Sequence, residues 1–236
     1  MKKILLMITS FMFVAHAYAQ KESLMPEKGD FGIEIGFNPF SEDYSTFKLI
    51  NGIKARYFVT DEDAIRLCLG LEYFHHKDSD KTETENWNNI YRNGTFDFFL
   101  GYERHFNLNK RIDLYVGGQL GVEKVFARSY EGNVFFLNDQ STNVVEETTI
   151  GYDNFHDVGS AFGFGTSAFA GIDVYLWKGL YCGAELGLGV MYAKNNAVTT
   201  EKNDNGAITK TETTVEVSQL SAGFYCEPAI RLGWTF

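Results

Sequence analysis

Proline, cysteine and tryptophan are scarce in this sequence, which has three of each among 236 residues. So few prolines, in a chain that is 44% hydrophobic, exclude disorder as the main state. Basic residues are outnumbered, 21 against 31 acidic ones, which argues against a nucleic-acid partner. The sequence has no zinc signature, no phosphate-binding glycine loop and no nucleotide fingerprint, so we expect no metal site and no cofactor.

The cysteines are Cys68, Cys182 and Cys226, an odd number spread widely along the chain. This spacing excludes a disulfide framework, and no pair has the separation of metal ligands. We interpret the three residues as small apolar side chains that fill space.

Residues 1–19 are typical of a secretory signal peptide. Lys2 and Lys3 precede an apolar stretch over 4–15, and Ala17-Tyr18-Ala19 provides a small-residue cleavage site. The alternative, a membrane anchor, is disfavoured because the stretch is shorter than the about 20 apolar residues that span a bilayer. We therefore predict export of the chain and a single mature domain over residues 20–236.

The remaining sequence predicts strands rather than helices. Glycine is frequent, with 23 residues, and aromatic residues reach 16% of the chain. Apolar and polar residues alternate with a period of two in eight segments, at 30–38, 47–59, 64–76, 94–106, 112–127, 160–175, 180–194 and 215–236. This pattern predicts an all-β fold, a single eight-stranded antiparallel up-and-down β-barrel.

The two faces of these segments differ sharply in composition. The apolar face is free of charge where alternation is clearest, as in Phe31–Phe37, Ile65–Tyr73, Phe96–Tyr102, Ile112–Val122 and Leu180–Val190, whereas most of the 23 glycines lie on the other face. That second face also carries Lys48 and the residues that we predict to form an interior ionic network: Glu34, Lys54, Arg56, Arg66, Glu72, Asp97, Glu103, Asp113, Glu123, Asp173, Glu185, Glu227 and Arg231. His105 is expected to join this network near the short turns.

Alternation alone leaves open whether the apolar face points inward, as in a soluble lipocalin-like barrel, or outward into lipid. Glycine beside charged residues favours the second, because a small barrel has little interior space. Short connections near 60–63, 107–111 and 176–179 alternate with longer polar ones at 38–46, 77–93, 128–159 and 195–214, the layout of outer-membrane barrels. Aromatic residues gather at both strand ends, Tyr57, Phe58, Phe106, Tyr175, Trp177 and Tyr181 near the short turns and Phe37, Phe40, Phe47, Tyr73, Phe96, Phe162 and Phe224 near the long connections.

The chain ends Arg231-Leu232-Gly233-Trp234-Thr235-Phe236, an alternating strand that closes on an aromatic residue. This ending resembles the assembly signal of bacterial outer-membrane barrels, with Trp234 and Phe236 as its aromatic positions. The mature chain resembles the small eight-stranded outer-membrane family that includes outer-membrane proteins X and W and the A-type barrel. The resemblance implies residence in the outer membrane of a Gram-negative bacterium, with lipid, lipopolysaccharide and the barrel-assembly machinery as partners. Pro228 departs from the pattern and predicts a bulge in the last strand.

The function expected from these features is a structural or surface-interaction role, adhesin-like, through the extracellular loops. Trp87 and Tyr91, in the polar tract 77–93, are the candidate contacts with an extracellular partner that the sequence does not identify. One alternative is a narrow pore for small or apolar solutes, although so small a lumen favours a paired ionic core. The other is a lipid-modifying enzyme. His75, His76 and His156 lie near Ser79 and several aspartates, but adjacency in sequence does not make a triad, so we expect no catalysis.

Overall fold

The computed structural model describes residues 24–37, 50–81, 85–137, 141–214 and 217–236. The predicted signal peptide, the connection 38–46 and Lys48 lie outside these ranges. Thirteen strands occur in the described residues, and no helix there is long and apolar enough to cross a membrane. In chain order the strands are β1 Phe31–Phe37, β2 Ile50–Phe58, β3 Asp63–Lys81, β4 Glu85–Asn107, β5 Ile112–Leu137, β6 Ser141–Ile150, β7 Tyr152–Asp153, β8 Val158–Gly159, β9 Ala161–Trp177, β10 Leu180–Asn195, β11 Val198–Asp204, β12 Ala207–Thr213 and β13 Ser218–Thr235.

Eight of these strands form a closed antiparallel ring. The order β1-β2-β3-β4-β5-β9-β10-β13 follows the chain, and β13 returns to pair with β1, Thr235 opposite Gly32. The ring continues across the long excursion between β5 and β9 because Ile112 pairs with Val174 and Val125 with Ala161. Each of these eight strands overlaps one of the eight segments of alternating sequence, and β3, β4 and β5 extend well beyond theirs.

The connections predicted as loops at 77–93, 128–159 and 195–214 are in fact largely strands. β3 and β4 remain paired up to Lys81 and Asn86, and β5 continues past the ring to pair with β6. The β11–β12 hairpin adds to β6, so the sheet extends beyond one end of the ring. The short pair β7–β8 lies against β5 within this extension. Polar residues on both faces hid these strands from a search for alternation.

The pleat turns the apolar face outward and the charged face into the ring. Leu71, Leu120 and Leu186 are each more than half exposed on the outside, whereas Arg231 and Asp173 are fully buried inside. Phe58, Tyr175 and Tyr181 were grouped with the aromatic residues of the belt, but they are buried within the ring. Their place follows from the period of two, since each shares the parity of the charged residues on its strand.

Glycine lines the inside of the barrel wall where an aromatic side chain lies against it. A side chain at Gly171 or Gly233 would overlap the ring of Tyr115 or Tyr181. The outward-facing Gly118 has no such neighbour, since its nearest atom, the Ser167 carbonyl oxygen, would lie 3.5 Å from an added Cβ. The glycines on the charged face therefore make room for interior aromatic rings.

The bulge predicted at Pro228 is present. Gly183 of β10 pairs with Arg231 and Glu185 pairs with Glu227, so β13 uses four residues where β10 uses two. A proline cannot donate a backbone hydrogen bond, and a bulge places it outside the regular ladder.

Candidate functional site

A cluster of buried charged side chains fills the ring near the short turns. We call it the interior ionic cluster, and its members are Glu34, Lys54, Arg56, Arg66, Glu103, His105, Asp113, Asp173, Glu185 and Arg231. Every member is at most 9% exposed. Charges at this depth are stable only when they are paired and hydrogen-bonded.

The register places like charges next to each other on the wall of the ring. Arg56 of β2 is directly opposite Arg66 of β3, and Asp113 of β5 is directly opposite Asp173 of β9. Like charges in these positions repel when they have no other partner. Arg56 and Arg66 instead pair with Asp173 and Glu185 from the far side of the ring. This attraction across the interior offsets the repulsion between like charges on neighbouring strands.

Arg56 and Arg231 make the contacts that span the ring. Nη1 of Arg56 lies 2.6 Å from Oδ2 of Asp173, and its Nε lies 2.8 Å from Oε2 of Glu103. Arg231 places Nη2 3.0 Å from Oδ1 of Asp173 and Nη1 3.1 Å from Oε1 of Glu34. Asp173 is therefore held by two guanidinium groups from strands on either side of β1.

Glu185 is the second carboxylate that several strands share. Lys54 Nζ and Arg66 Nη1 each lie 3.1 Å from its Oε2 atom. The Tyr115 hydroxyl donates a hydrogen bond to the same oxygen at 2.7 Å. Arg66 also donates to Oε1 of Glu103 at 3.1 Å, which links the two carboxylates.

His105 completes the cluster beside the short turn. Its Nδ1 lies 2.6 Å from Oδ2 of Asp113 and its Nε2 lies 3.2 Å from Oε2 of Glu103. With both carboxylates ionised, only the doubly protonated imidazolium can donate from both nitrogens. In that state the buried cluster contains five cations and five carboxylates.

The burial of the cluster closes this part of the interior to water. Arg56, Arg66 and Glu185 are 1%, 2% and 3% exposed, although a continuous water path past them would leave them accessible. Tyr175 and Tyr181 fill the space below them. The cavity above the cluster reaches Arg66 and Glu185 from one side, and Arg56 is not among the residues that line it.

Three residues predicted for the network have no described contact with it: Glu72, Asp97 and Glu123. Glu72 is exposed, and Asp97 and Glu123 are half-buried on the wall of a cavity of about 310 Å3 above the cluster. The side chain of Glu227 lies outside the described part of the structure. Asp97 and Glu123 are directly opposite each other on β4 and β5. Lys54, which lines the same cavity, pairs with Glu185 of the cluster instead.

Two tyrosines contact the cluster although the sequence did not predict them inside the ring, and Tyr181 had been assigned to the aromatic belt. Tyr115 donates to Glu185, and Tyr181 donates to Oε2 of Glu34 at 3.1 Å. Arg56 also lies 4.7 Å from the centre of the Tyr115 ring. Both tyrosines share the parity of Asp113 or Gly183 on their strands, and that signal was sufficient to place them inside.

Trp87 and Tyr91 do not lie on a loop. Both belong to β4, where Trp87 is half-buried and Tyr91 is buried. Tyr91 belongs to what we call the outer aromatic group, together with Phe74, His76, Phe155 and His156. In this group the Phe155 ring stacks 4.6 Å from His76 and 5.2 Å from Tyr91. Tyr91 is thus a packing residue of the extension rather than an exposed contact.

Asp153 anchors the β7–β8 hairpin beneath this group. Its Oδ2 accepts a hydrogen bond from Asn93 at 2.7 Å and lies 2.8 Å from Nδ1 of His156. Burial raises the pKa of the Asp153 carboxyl, but hydrogen bonds from His156, Asn93 and the Phe155 amide outweigh burial, and the net pKa is lowered. The ionised carboxylate is the form that holds the hairpin.

The described contacts do not bring the residues considered for catalysis together with a serine hydroxyl, although His76 and His156 both contact Phe155. His75 and His76 point to opposite faces of β3, and Ser79 pairs with Asn88 further along the strand. His156 contacts Asp153, and the described contacts bring no serine hydroxyl to it. Trp234 and Phe236, proposed as the assembly signal, lie where the ring closes, with Trp234 against Trp177 and Phe236 against Phe31.

Comparison with known proteins identifies one family. Residues 38–236 match the family described as "Putative OmpA-OmpF-like porin family". Among solved structures, the chain is similar to the crystal structure of CarO from Acinetobacter baumannii, with 12% identity and a TM-score of 0.30 over 92% of this chain and 99% of that chain. No curated protein sequence matches the chain.

Proposed function

The chain belongs to the OmpA-OmpF-like porin family of outer-membrane β-barrel proteins, and on this premise we propose that it is a closed barrel with a structural and surface-displaying role. In this proposal the ring of eight strands spans the outer membrane as a barrel of the X, W and A type. Lipid contacts the exposed apolar face, and the charged face is turned from it. The short turns face the periplasm and the sheet extension faces outward.

The observation that carries the proposal is the burial of the interior ionic cluster. Ten charged side chains from all eight ring strands are joined where a pore would need water. The cost of removing such groups from water is offset by their pairing with opposite charges, which water in a conducting lumen would interrupt. The cluster therefore supports a barrel that is sealed at the level of the short turns.

The extension supports the surface role. β3 to β6, β11 and β12 continue beyond the ring as one sheet, whose outer strands are largely exposed. A hydrogen-bonded sheet presents side chains in fixed positions at lower entropic cost than a mobile loop. We propose that the exposed outer strands β11 and β12 of this sheet, rather than Trp87 and Tyr91 of β4, contact an extracellular partner.

A narrow pore is the second candidate, and the cavity above the cluster favours it. That cavity of about 310 Å3 is lined by Lys54, Asp97 and Glu123 among others, and it gives a solute a polar vestibule down to the cluster. Passage would require the cluster to part. We propose no enzymatic activity, since His75, His76 and His156 are not assembled with a nucleophile.

Planar-bilayer recording tests the closed barrel. We expect the purified protein to give no steady conductance, and the double variant Arg56→Ala/Asp173→Ala to give small steady openings. Arg104→Ala, at the exposed end of β4, is the control and should remain silent. Steady openings of the unaltered protein would favour the pore and contradict the proposal.

Membrane residence has a separate test. The folded, unboiled protein should migrate faster on a gel than the boiled form and should fractionate with outer membranes. Recovery from the periplasm without detergent would contradict it. Incubation with purified lipopolysaccharide, followed by mass spectrometry, should leave the lipid unchanged if the enzyme alternative is wrong.

A further inference from the structure

Two arginines stand side by side on the outer face of the extension. Arg92 of β4 is directly opposite Arg128 of β5, and both side chains are exposed. Within the described residues neither guanidinium takes part in a hydrogen bond or an ion pair. Like charges directly opposite each other on neighbouring strands repel, so this pair costs stability unless an anion lies between its members.

The outward direction of the pair follows from the pleat. Arg92 has the parity of Phe96 and Phe98 on β4, and Arg128 has the parity of Phe126 on β5. Those phenylalanines are exposed on the apolar outside of the sheet. The arginines therefore continue the lipid-facing surface and do not reach the interior ionic cluster.

An aromatic row lies immediately below the arginines. Tyr73, Gly94 and Phe126 are directly opposite one another on β3, β4 and β5. Phe126 lies over Gly94 and stacks on Tyr73, with ring centres 6.3 Å apart. Aromatic rows of this kind mark the boundary between hydrocarbon and head groups. The arginines are two residues further along, about 7 Å beyond that boundary.

Both arginines line a groove on this face. It has a volume of about 360 Å3 and is lined by Asn88, Ile90, Arg92, Arg128 and Tyr130. Lys124 lies below on the same face of β5, and a long side chain at that depth can extend its ammonium group toward the head groups. The groove thus combines the side chains of Ile90 and Tyr130 with two arginines. This local positive charge contrasts with the net charge of -10 of the whole chain.

The geometry points to a binding site for the phosphate group of an outer-leaflet glycolipid between Arg92 and Arg128. Planar guanidinium groups bind phosphate oxygens through paired hydrogen bonds, and two adjacent groups can hold one phosphate from both sides. Phosphate supplies the missing negative charge, and the acyl chains of the same lipid descend along Phe126 and Phe96. This inference rests on the proposed placement in the membrane.

The test uses the full-length protein in nanodiscs, titrated with diphosphorylated lipid A and observed by native mass spectrometry. Arg92→Gln/Arg128→Gln should weaken lipid A binding by about tenfold or more, because each charge-assisted contact contributes about 1.5 kcal/mol. Arg92→Lys/Arg128→Lys retains the charge and should lose less. Lys110→Gln/Arg111→Gln removes the same charge at the opposite end of the ring and should bind normally.

Three results would overturn the inference. Dephosphorylated lipid A could bind the unaltered protein equally well, or the Lys110→Gln/Arg111→Gln control could lose as much affinity. Alternatively, inorganic phosphate at equal concentration could displace the lipid, which would identify a soluble anion as the occupant. Heat-modifiable migration of the same samples separates the two proposals. A folded, inserted barrel without phosphate preference contradicts only this inference, whereas failure to insert contradicts the proposed function as well.

Discussion

Arg56 and Asp173 are joined across the ring at 2.6 Å, although 117 residues separate them in the sequence. The contact links β2 to β9, which lie on different sides of the interior. It compensates for two repulsive arrangements that remain on the wall, Arg56 beside Arg66 and Asp113 beside Asp173. The stability of the ring therefore depends on pairs that only the closed structure can form.

Replacing Arg56 by methionine should destabilise the folded protein strongly. Glu103 and Asp173 would lose their closest cation while buried, and breaking such a pair costs about 3–5 kcal/mol. Urea unfolding in detergent micelles, followed by the fraction of heat-modifiable protein, measures this loss. Arg104→Met removes a half-exposed arginine that pairs with Asp63, and it should cost less than about 1 kcal/mol. Equal losses in the two variants would contradict a special role for the cluster.

His105 should carry two protons in the folded protein at neutral pH. Both of its ring nitrogens face carboxylate oxygens, so a neutral imidazole would turn an unprotonated nitrogen, which cannot donate, toward one of them. Nitrogen-15 spectra of protein labelled at histidine measure this directly, with His75→Gln, at an exposed position, used to assign the signals. A spectrum of a single neutral tautomer at His105 would contradict the assignment.

The β7–β8 hairpin should loosen in acid. The pKa of Asp153 is lowered in the folded state, so its contribution to stability is complete above its ordinary pKa of about 4 and disappears as the pH falls through the folded value. Hydrogen exchange at the Phe155 amide, which donates to Oδ1 of Asp153, measures the opening. In Asp153→Asn this exchange should show no comparable change below about pH 4. Identical acid profiles in both proteins would refute the prediction.

Gly171→Val should be far more disruptive than Gly118→Val. An added side chain at Gly171 would overlap Tyr115 and displace its hydroxyl from Glu185. Such overpacking costs about 1–3 kcal/mol, whereas Gly118 faces outward with room for a side chain and should change stability by less than about 0.5 kcal/mol. Thermal unfolding of both variants in the same detergent compares them. Similar midpoints would show that the interior can adapt to valine.

The parity of residues along a strand was enough to predict which side chains face inward. Glu34, Arg66 and Asp173 lie inside because alternation with period two leaves them no other face. The ion-pair partners of these residues could not be predicted from the sequence. Pairing across the interior depends on the stagger of the strands, which local sequence does not encode. The same limit explains why Asp97 was grouped with carboxylates that lie lower in the ring.

The strands of the extension were missed for a different reason. Between 77 and 93 the sequence carries polar residues on both faces of the strands, so no alternation distinguishes β3 and β4 from a loop. Hydrogen bonding that continues from the ring determines their structure. Tyr91 was misjudged with them, because its burial comes from Phe155, which lies 64 positions away in the chain.

Because Gly32 pairs with Thr235, one edge of the first ring strand remains unpaired until the last strand is added. Until β13 arrives, β1 and β10 each present an open edge with unsatisfied amides and carbonyls, which hydrocarbon does not tolerate. The ring therefore closes only when β1 and β13 are both in place. A chain that lacks its final twenty residues would leave the edges of β1 and β10 unpaired, with no strand of its own to cover them.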